Sequence, residues 1–446
     1  MSEFTVPAWE NVMVSSVATI LGRSISRRAT ASALVCAVPL AMVSSVSFAQ
    51  APPLKIGVIL PLSGNFTPAG EDALTGLRIY FDSINNEVAG RKIQLIVEDE
   101  QGRPDVALTK ARKLVENDKV QILTGFVSSA VALAVNDYAR EKKIPMVISA
   151  DGGANELTTP GPLANPYLVR TSQNGRTPSA AAAEYVFKQG WRKVAALTSD
   201  YAGGFDTIGG FAQAFCKLGG TIVQEQYPPL NTNDFGPYVT GIKRDADAVV
   251  TFLPGAGGLK FAKQFIELGL KDKMPLMDIF GQIAYEPYLP QLADGGLGIL
   301  SVLHYTPMIK TPENEAFVKE YVARAKRLPS DNGPDAWVGA KAIAEAAKAV
   351  DGKVEDTDKF LAAFRTLKFD SPKGPISFDK FGQVIHSMYI RKVEKVGNDY
   401  ANVPVQAINN IDQFWPFSLE EFESYKYRYA DLKGSMTDCK KVLEKK

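Results

Sequence analysis

Only two histidines, His304 and His386, occur in 446 residues. A Ser-His-Asp triad or a histidine-based metal centre would have to use one of them, and neither sits in a supporting motif. The chain contains no G-x-S-x-G elbow, no H-E-x-x-H and no G-x-x-x-x-G-K-[ST] phosphate loop. In "GAGGLK" Gly255 and Gly257 stand between a strand and a helix, but the third glycine position of a dinucleotide fingerprint is Lys260. A loop glycine cluster is the simpler reading. The loop in "ILPLSGNFTPAG", 59–70, lacks the lysine and glycine spacing of a phosphate cradle. Glu98 and Asp99 have the right types for acid–base work, yet paired acids at a strand end more often are solvated or cap the next turn. The reading is therefore of a protein that is not an enzyme, with no catalytic residue, no cofactor and no metal.

What remains is binding chemistry, and the elements say where it would sit. From Leu54 the chain alternates strand and helix: "LKIGVIL", a helix over about 71–87, "KIQLIVED", a helix over 105–117, "VQILTG", a helix over 129–140 and "IPMVISA". Continuous apolar strands between amphipathic helices indicate a parallel sheet covered on both faces. A loop rich in Gly, Pro and Asn (151–166) follows, and the alternation restarts at "RKVAALTSDYAGGF" with the same order of strand, glycine loop, helix and strand. The fold class is α/β, with two similar Rossmann-like, doubly wound lobes. After Tyr305 come helical stretches near 312–327, 334–350 and 356–367, then strand-like "GPISFD" and "VIHSMYIRKVEKV" and an aromatic tail. These late pieces are expected to complete the lobes, so that the chain crosses between them more than once and forms a hinge. The expected N-terminal lobe is 54–172 with 304–366, and the C-terminal lobe is 173–303 with 367–446. His304 lies near an expected crossover, where contact with ligand and a structural hinge role are both open.

The net charge is +1, from 50 basic and 49 acidic residues, which excludes an electrostatic grip on nucleic acid. Residues 1–49 read as a leader: arginines at 23, 27 and 28, an apolar run over about 29–46, and Ser47-Phe48-Ala49 as a cleavage site. The expected location is the periplasm, with the leader cut near Ala49. Cys216 and Cys439 are the cysteines left after that cut. Export invites a disulfide between them, and the alternative is two separate thiols, with Cys216 packed in a helix.

Ligands of open α/β sheets bind beyond the carboxyl ends of the strands, where strand order reverses. Those loops are 61–69, 125–130 and 150–156 in the first lobe, and 199–205, 254–258 and 280–286 in the second. They offer Asn65, Phe66, Phe126, Ser128, Ser129, Asp151, Gly152 and Gly153, and opposite them Tyr201, Phe205, Gln282 and Tyr285. Hydroxyls and helix-start N–H groups suit a carboxylate, and aromatic rings suit an apolar body.

At these residues the chain resembles a family. "KIGVILPLSGNFTPAGEDALTGLRIYFDSIN", "VQILTGFVSSAVALAVNDYARE", "IPMVISADGGANELT", "YAGGFDTIGGF" and "PDAWVGAKAIAEAA" are similar to type I periplasmic substrate-binding proteins of ABC transporters, in the branched-chain amino acid receptor group. The likeness runs in order over about 54–400. It implies two lobes joined by three crossover strands that close on a small molecule, an ABC permease and its ATPase as partners, and a monomer. It also implies that Ser128-Ser129 and the Asp151–Gly153 segment hold a ligand carboxylate and that Tyr201 covers the ligand. The chain departs from the amino-acid receptors in two places. Gly152-Gly153 replace small or hydroxyl residues, and the acid expected to hold an α-ammonium is absent, with Gln282 and Ile283 there and Glu286 further on. A buried ammonium without a partner costs several kcal/mol. The expected ligand is accordingly an aromatic acid of the benzoate or hydroxycinnamate type, with Phe66, Phe126, Tyr201 and Phe205 for stacking and Arg176 for a charge-assisted contact. An apolar amino acid, and a role as ligand sensor for a signalling partner, are the alternatives.

Overall fold

A computed structural model describes residues 51–427 and 429–446. The leader and its cleavage site lie outside the described residues.

The first strand, β1 (Leu54–Leu60), is apolar at every position but Lys55 and is buried nearly throughout. It pairs in parallel with β3 (Arg91–Asp99) on one side and β4 (Ile122–Gly125) on the other. With β2 (Glu87–Val88), β5 (Met146–Ile148) and β6 (Leu168–Arg170) they form a sheet of order β2-β3-β1-β4-β5-β6. Strand order reverses between β1 and β4, so the loops after these two strands frame a crevice. Helix α1 (Thr67–Ser83) starts four residues before the sequence-based expectation. Pro68 in its first turn needs no N–H partner there, so the helix begins at the loop itself. Helices α2 (Pro104–Arg112) and α3 (Ser129–Lys142) pack together against the sheet.

The second lobe repeats the plan. Helix α4 (Arg176–Lys188) leads to β7 (Lys193–Thr198), α5 (Ala202–Lys217), β8 (Thr221–Gln226), α6 (Gly236–Thr240), β9 (Ala248–Phe252), α7 (Ala256–Glu267), β10 (Leu276–Ile279), α8 (Leu289–Leu292) and β11 (Leu300–Leu303). Strand order β8-β7-β9-β10-β11 reverses between β7 and β9. The chain then returns to the first lobe. Helices α9 (Pro312–Ala325) and α10 (Asn332–Ala349) pack on α1, and α11 (Thr357–Arg365) packs on α10. A third crossing leads through β12 (Phe369–Ser371) and β13 (Gly374–Phe378) to β14 (Val384–Val396), which pairs antiparallel with β11. Two Rossmann-like lobes with three crossings make this the type I periplasmic binding protein fold.

A long hairpin partner of β14, β15 (Asp399–Ile411), is not foreseen from sequence. It is polar and contains Pro404, and it holds as a strand because β14 supplies a ladder, interrupted by two register irregularities, on its one paired edge. The tail, with α12 (Leu419–Ser424) and α13 (Cys439–Val442), lies on α5. Phe414, Phe417 and Phe422 enter the same hydrophobic cluster as Phe211 and Phe215 of α5. A disulfide joins Cys216 to Cys439 across this contact. No helix among the described residues is long and apolar enough to cross a membrane.

The crossings meet at one buried ammonium. Lys373 Nζ donates to Thr171 O at 2.6 Å and to Asp335 Oδ1 at 2.5 Å, and lies 3.5 Å from His386 Nδ1. His304 Nε2 is 2.8 Å from the same Asp335 oxygen, and its ring stacks on that of His386. Both histidines titrate well below their usual range, through burial first and then the Lys373 charge. They are neutral hinge residues.

Candidate functional site

A cleft of about 620 Å³, counting its open mouth, lies between the two crevices. Asn65 and Phe66 reach it from the loop after β1, Ser128 and Ser129 from the loop after β4, and Asp151 and Gly153 from the loop after β5. The second lobe contributes Tyr201 from the loop after β7 and Gln282 from the loop after β10. These eight of the twelve expected ligand residues are brought together.

The other four are placed elsewhere, each for a physical reason. Phe126 packs its ring in the core cluster beside α3, with Val131 and Val135, and is fully buried there. Gly152 is absent from the lining and donates its N–H to Phe126 O at 2.8 Å, bracing the two loops. Arg176, expected to touch a carboxylate, lies under the tail: its guanidinium is 4.6 Å from the ring centre of Phe417 and 4.4 Å from that of Phe422. Phe205 turns outward from α5, edge-on to Tyr227 and under Lys433. Sequence reasoning placed these residues by loop, and side-chain direction within the loop decided otherwise.

Further aromatic walls come from Tyr285, already among the loop residues named from sequence, and from Phe252, Phe280 and Tyr288, which were passed over. Phe252 ends β9, Phe280 follows β10, and Tyr285 and Tyr288 follow on the same loop. The available signal was position, since each of the two phenylalanines ends or follows a strand that points at the cleft. Gly255, read as part of an incidental cluster, also lines the cleft. Its φ of 67° favours glycine, and a Cβ there would lie 2.7 Å from Asn65 Nδ2.

One wall can hold an anion. Ser128 caps α3 and Ser129 begins it, so the first N–H groups of that helix lack intrahelical partners at the lining. Neither serine hydroxyl has a hydrogen-bond partner among the described residues. Among the described residues, no lysine or arginine lines the cleft. Its one acid is Asp151, held by Gln173 Nε2 at 2.9 Å and Asn332 Nδ2 at 3.1 Å. Burial pushes the Asp151 carboxyl up to about 6, and the neighbouring Asp335 charge adds to this against the lowering effect of its hydrogen bonds. Glu286, the other acid near the second-lobe loop, is bonded to Arg391 at 3.1 Å and Asn402 at 2.9 Å and does not line the cleft.

Tyr201 lines the cleft. Its ring stacks on Phe252 with centroids 6.2 Å apart. A Cβ on Gly203 would stand 2.7 Å from the Tyr201 hydroxyl, so glycine at this position leaves room for the ring over the first turn of α5.

The lobes touch around the cleft. Tyr285 reaches from the second lobe to Ser330 Oγ at 3.0 Å, in a buried group where Asp72 also pairs with Arg327 and Tyr321. Asn155 N–H donates to Asp206 Oδ2 at 3.1 Å, and Gly175 N–H to Gly153 O at 2.8 Å.

Comparison with known proteins agrees with this architecture. The sequence pattern of a family described as periplasmic binding protein matches residues 53–398. A curated relative from Brucella melitensis, Leu/Ile/Val-binding protein homolog 6, is 32% identical over 370 residues, covering 81% of this chain and 93% of the relative. A solute-binding protein of an ABC transporter from Rhodopseudomonas palustris BisB5, solved with 3,4-dihydroxybenzoic acid, is 32% identical with a TM-score of 0.76, covering 81% of this chain and 98% of that one. Another, from Rhodopseudomonas palustris HaA2 with p-hydroxybenzoic acid, is 33% identical with a TM-score of 0.77, covering 82% and 99%.

Proposed function

Because this chain belongs to the periplasmic binding protein family, among the substrate-binding proteins of ABC transporters, we propose that its cargo is a small aromatic carboxylate of the benzoate or hydroxycinnamate type. The single observation that carries this reading is the composition of the cleft. Aromatic residues from both lobes surround it, free hydroxyls and helix-start N–H groups stand on one wall, and no basic residue among the described residues lines it. A flat ring fills such a space by stacking, while the carboxylate takes the serines and the start of α3. Solved relatives that hold dihydroxybenzoic and p-hydroxybenzoic acid support it. The protein acts as a monomer outside the cytoplasm, closes its lobes on the ligand, and presents the closed pair of surfaces to the permease without chemistry of its own.

Asn65, Phe66, Ser128, Ser129, Asp151, Gly153, Tyr201 and Gln282 are the ligand contacts in this reading, with Phe252, Phe280 and Tyr285 added as walls. A titration panel tests it: benzoate, 4-hydroxybenzoate and 4-coumarate against leucine, isoleucine and valine, followed by calorimetry and thermal melting. The aromatic acids are expected to bind and raise the melting temperature; saturation at 100 times Kd adds about 2.7 kcal/mol of stability. Binding of leucine alone would overturn it. That second reading, an apolar amino acid receptor, draws on Asp151, a carboxyl in the lining able to meet an ammonium, and on the Leu/Ile/Val-binding name of the curated relative.

A further inference from the structure

Behind Asp151 stands a second carboxyl that does not line the cleft. Asp331, fully buried, is tied to Asp151 through one amide: Asn332 Nδ2 is shared between them, 3.1 Å from Asp151 Oδ2 and 3.4 Å from Asp331 Oδ1. Asp331 Oδ2 meets no donor among the described residues. Two ionised carboxylates this close in a buried site repel each other, so the pair favours holding a proton.

The charged and titratable neighbours do not supply a substitute. Lys373, from the crossover, is bonded to Asp335 and Thr171. His304 and His386 are neutral. Glu286 is matched by Arg391, and Asp72 by Arg327. Tyr201 and Tyr285, facing the pair from the second lobe, are kept as phenols by burial. Asp206, whose carboxyl accepts the Asn155 N–H, titrates well above its usual range through burial.

We propose that Asp151 and Asp331 share one proton in the free protein and take up a second when an anionic ligand binds, with Asp331 as the positioning residue that turns Asp151 into an O–H donor toward the ligand. This rests on the reading of the ligand as a carboxylate. It explains how a cleft without lysine or arginine in its lining, and with an aspartate in it, accepts an anion: the proton that neutralises the added charge comes from solvent and stays on the pair. A buried carboxylic acid used as a hydrogen-bond donor is established chemistry elsewhere. An amino acid would drive the proton the other way, because its ammonium would call for an ionised Asp151.

Calorimetry with 4-hydroxybenzoate at pH 7.5, in phosphate and in Tris, reads the proton directly from the difference in heat between buffers. Expected are an uptake approaching one proton and a Kd that rises severalfold per pH unit between pH 7 and 8. Asp151→Asn supplies a permanent N–H donor and is expected to bind with little pH dependence and no proton uptake. Asp331→Asn relieves the charge beside Asp151, leaves it ionised, and is expected to weaken binding at least tenfold at pH 7.5. A wild-type Kd that is flat with pH and equal heats in the two buffers would overturn the proposal. A ligand-free arm separates it from the ligand assignment: the infrared difference spectrum between wild type and Asp331→Asn at pH 7.5 should show the C=O band of a protonated carboxyl. Its absence sinks the shared proton. Its presence, with no binding of 4-hydroxybenzoate, sinks the ligand reading alone. Leucine binding with proton release would retain the pair and reverse the ligand class.

Discussion

The side-chain oxygen of Asn65 accepts a hydrogen bond from the main-chain N–H of Ala256, 3.2 Å away across the cleft. Asn65 belongs to the loop after the first strand and Ala256 to the start of α7, so this contact joins the two lobes at the cleft. Gly255 makes it feasible, since its positive φ and missing Cβ let the amide approach.

Asn65→Ala removes that bond without touching either core. The expected effect is a loss of about 1 kcal/mol in ligand affinity, roughly fivefold in Kd, with an unchanged melting temperature in the free protein. Small-angle scattering of the free protein should show a more open mean conformation. Equal affinity and equal scattering would take Asn65 out of the clamp.

Ser128→Ala together with Ser129→Ala deletes two hydroxyls that have no other partner among the described residues. Affinity for 4-hydroxybenzoate should fall by about 1–3 kcal/mol, measured by calorimetry. The helix-start N–H groups remain, so binding weakens without vanishing. Full-strength binding would move the carboxylate to another wall.

Gly203→Ala places a methyl group against the Tyr201 hydroxyl and displaces the ring from the cleft. Affinity is expected to fall about as far as in Tyr201→Ala, and the double variant should add little, because both changes remove the same lid. Additive losses in the double-mutant cycle would show that Gly203 acts on something other than Tyr201.

Lys373→Met leaves Asp335 and the Thr171 carbonyl without their cation in a fully buried hinge. A loss of about 3–5 kcal/mol in denaturant unfolding is expected, partly recovered by adding Asp335→Asn. No recovery in the double variant would mean that the packing of the lysine stem, and not the ion pair, holds the crossings together.

Glu100, fully buried after β3, accepts the Arg103 N–H through Oε2 at 3.0 Å, while Oε1 has no donor among the described residues. Burial pushes its carboxyl up to about 7, with the adjacent Asp99 adding to the rise. The folded state therefore binds this proton more tightly than the unfolded chain, whose glutamate titrates near 4.3. The stability it lends is present below that value and is lost as pH rises to about 7, up to about 4 kcal/mol in all. Glu100→Gln should flatten this slope and unfold at higher denaturant than wild type at pH 8, with the gap closing near pH 4.5. An unchanged slope in pH-dependent unfolding would remove Glu100 from the balance.

Much of the architecture is legible because it follows from local rules. The apolar run in "LKIGVIL" can satisfy its backbone and side chains only inside a covered parallel sheet, and the repeat of that pattern at "RKVAALTSD" announces a second lobe. Asn65, Ser128, Ser129 and Tyr201 were reachable for the same reason, since strand ends in such sheets face the crevice. The strand β15 was hidden, because a polar, proline-containing edge strand takes its stability from its partner and not from its own composition.

What the sequence by itself determined is the alternating elements of the two lobes, their doubling and the loops that meet, though not β15. Those depend on periodicity and turn chemistry within about twenty residues of each position. Only the tertiary structure decided which side chains of those loops line the cleft. Phe126 and Phe280 each follow a strand and each have positive φ, yet the first fills the core beside α3 and the second walls the cleft. It also decided that Arg176 belongs to the tail and that Asp331 stands behind Asp151, 180 positions away in the chain (331 − 151). Direction and proximity of this kind arise from packing between segments far apart in sequence, and local periodicity does not carry them.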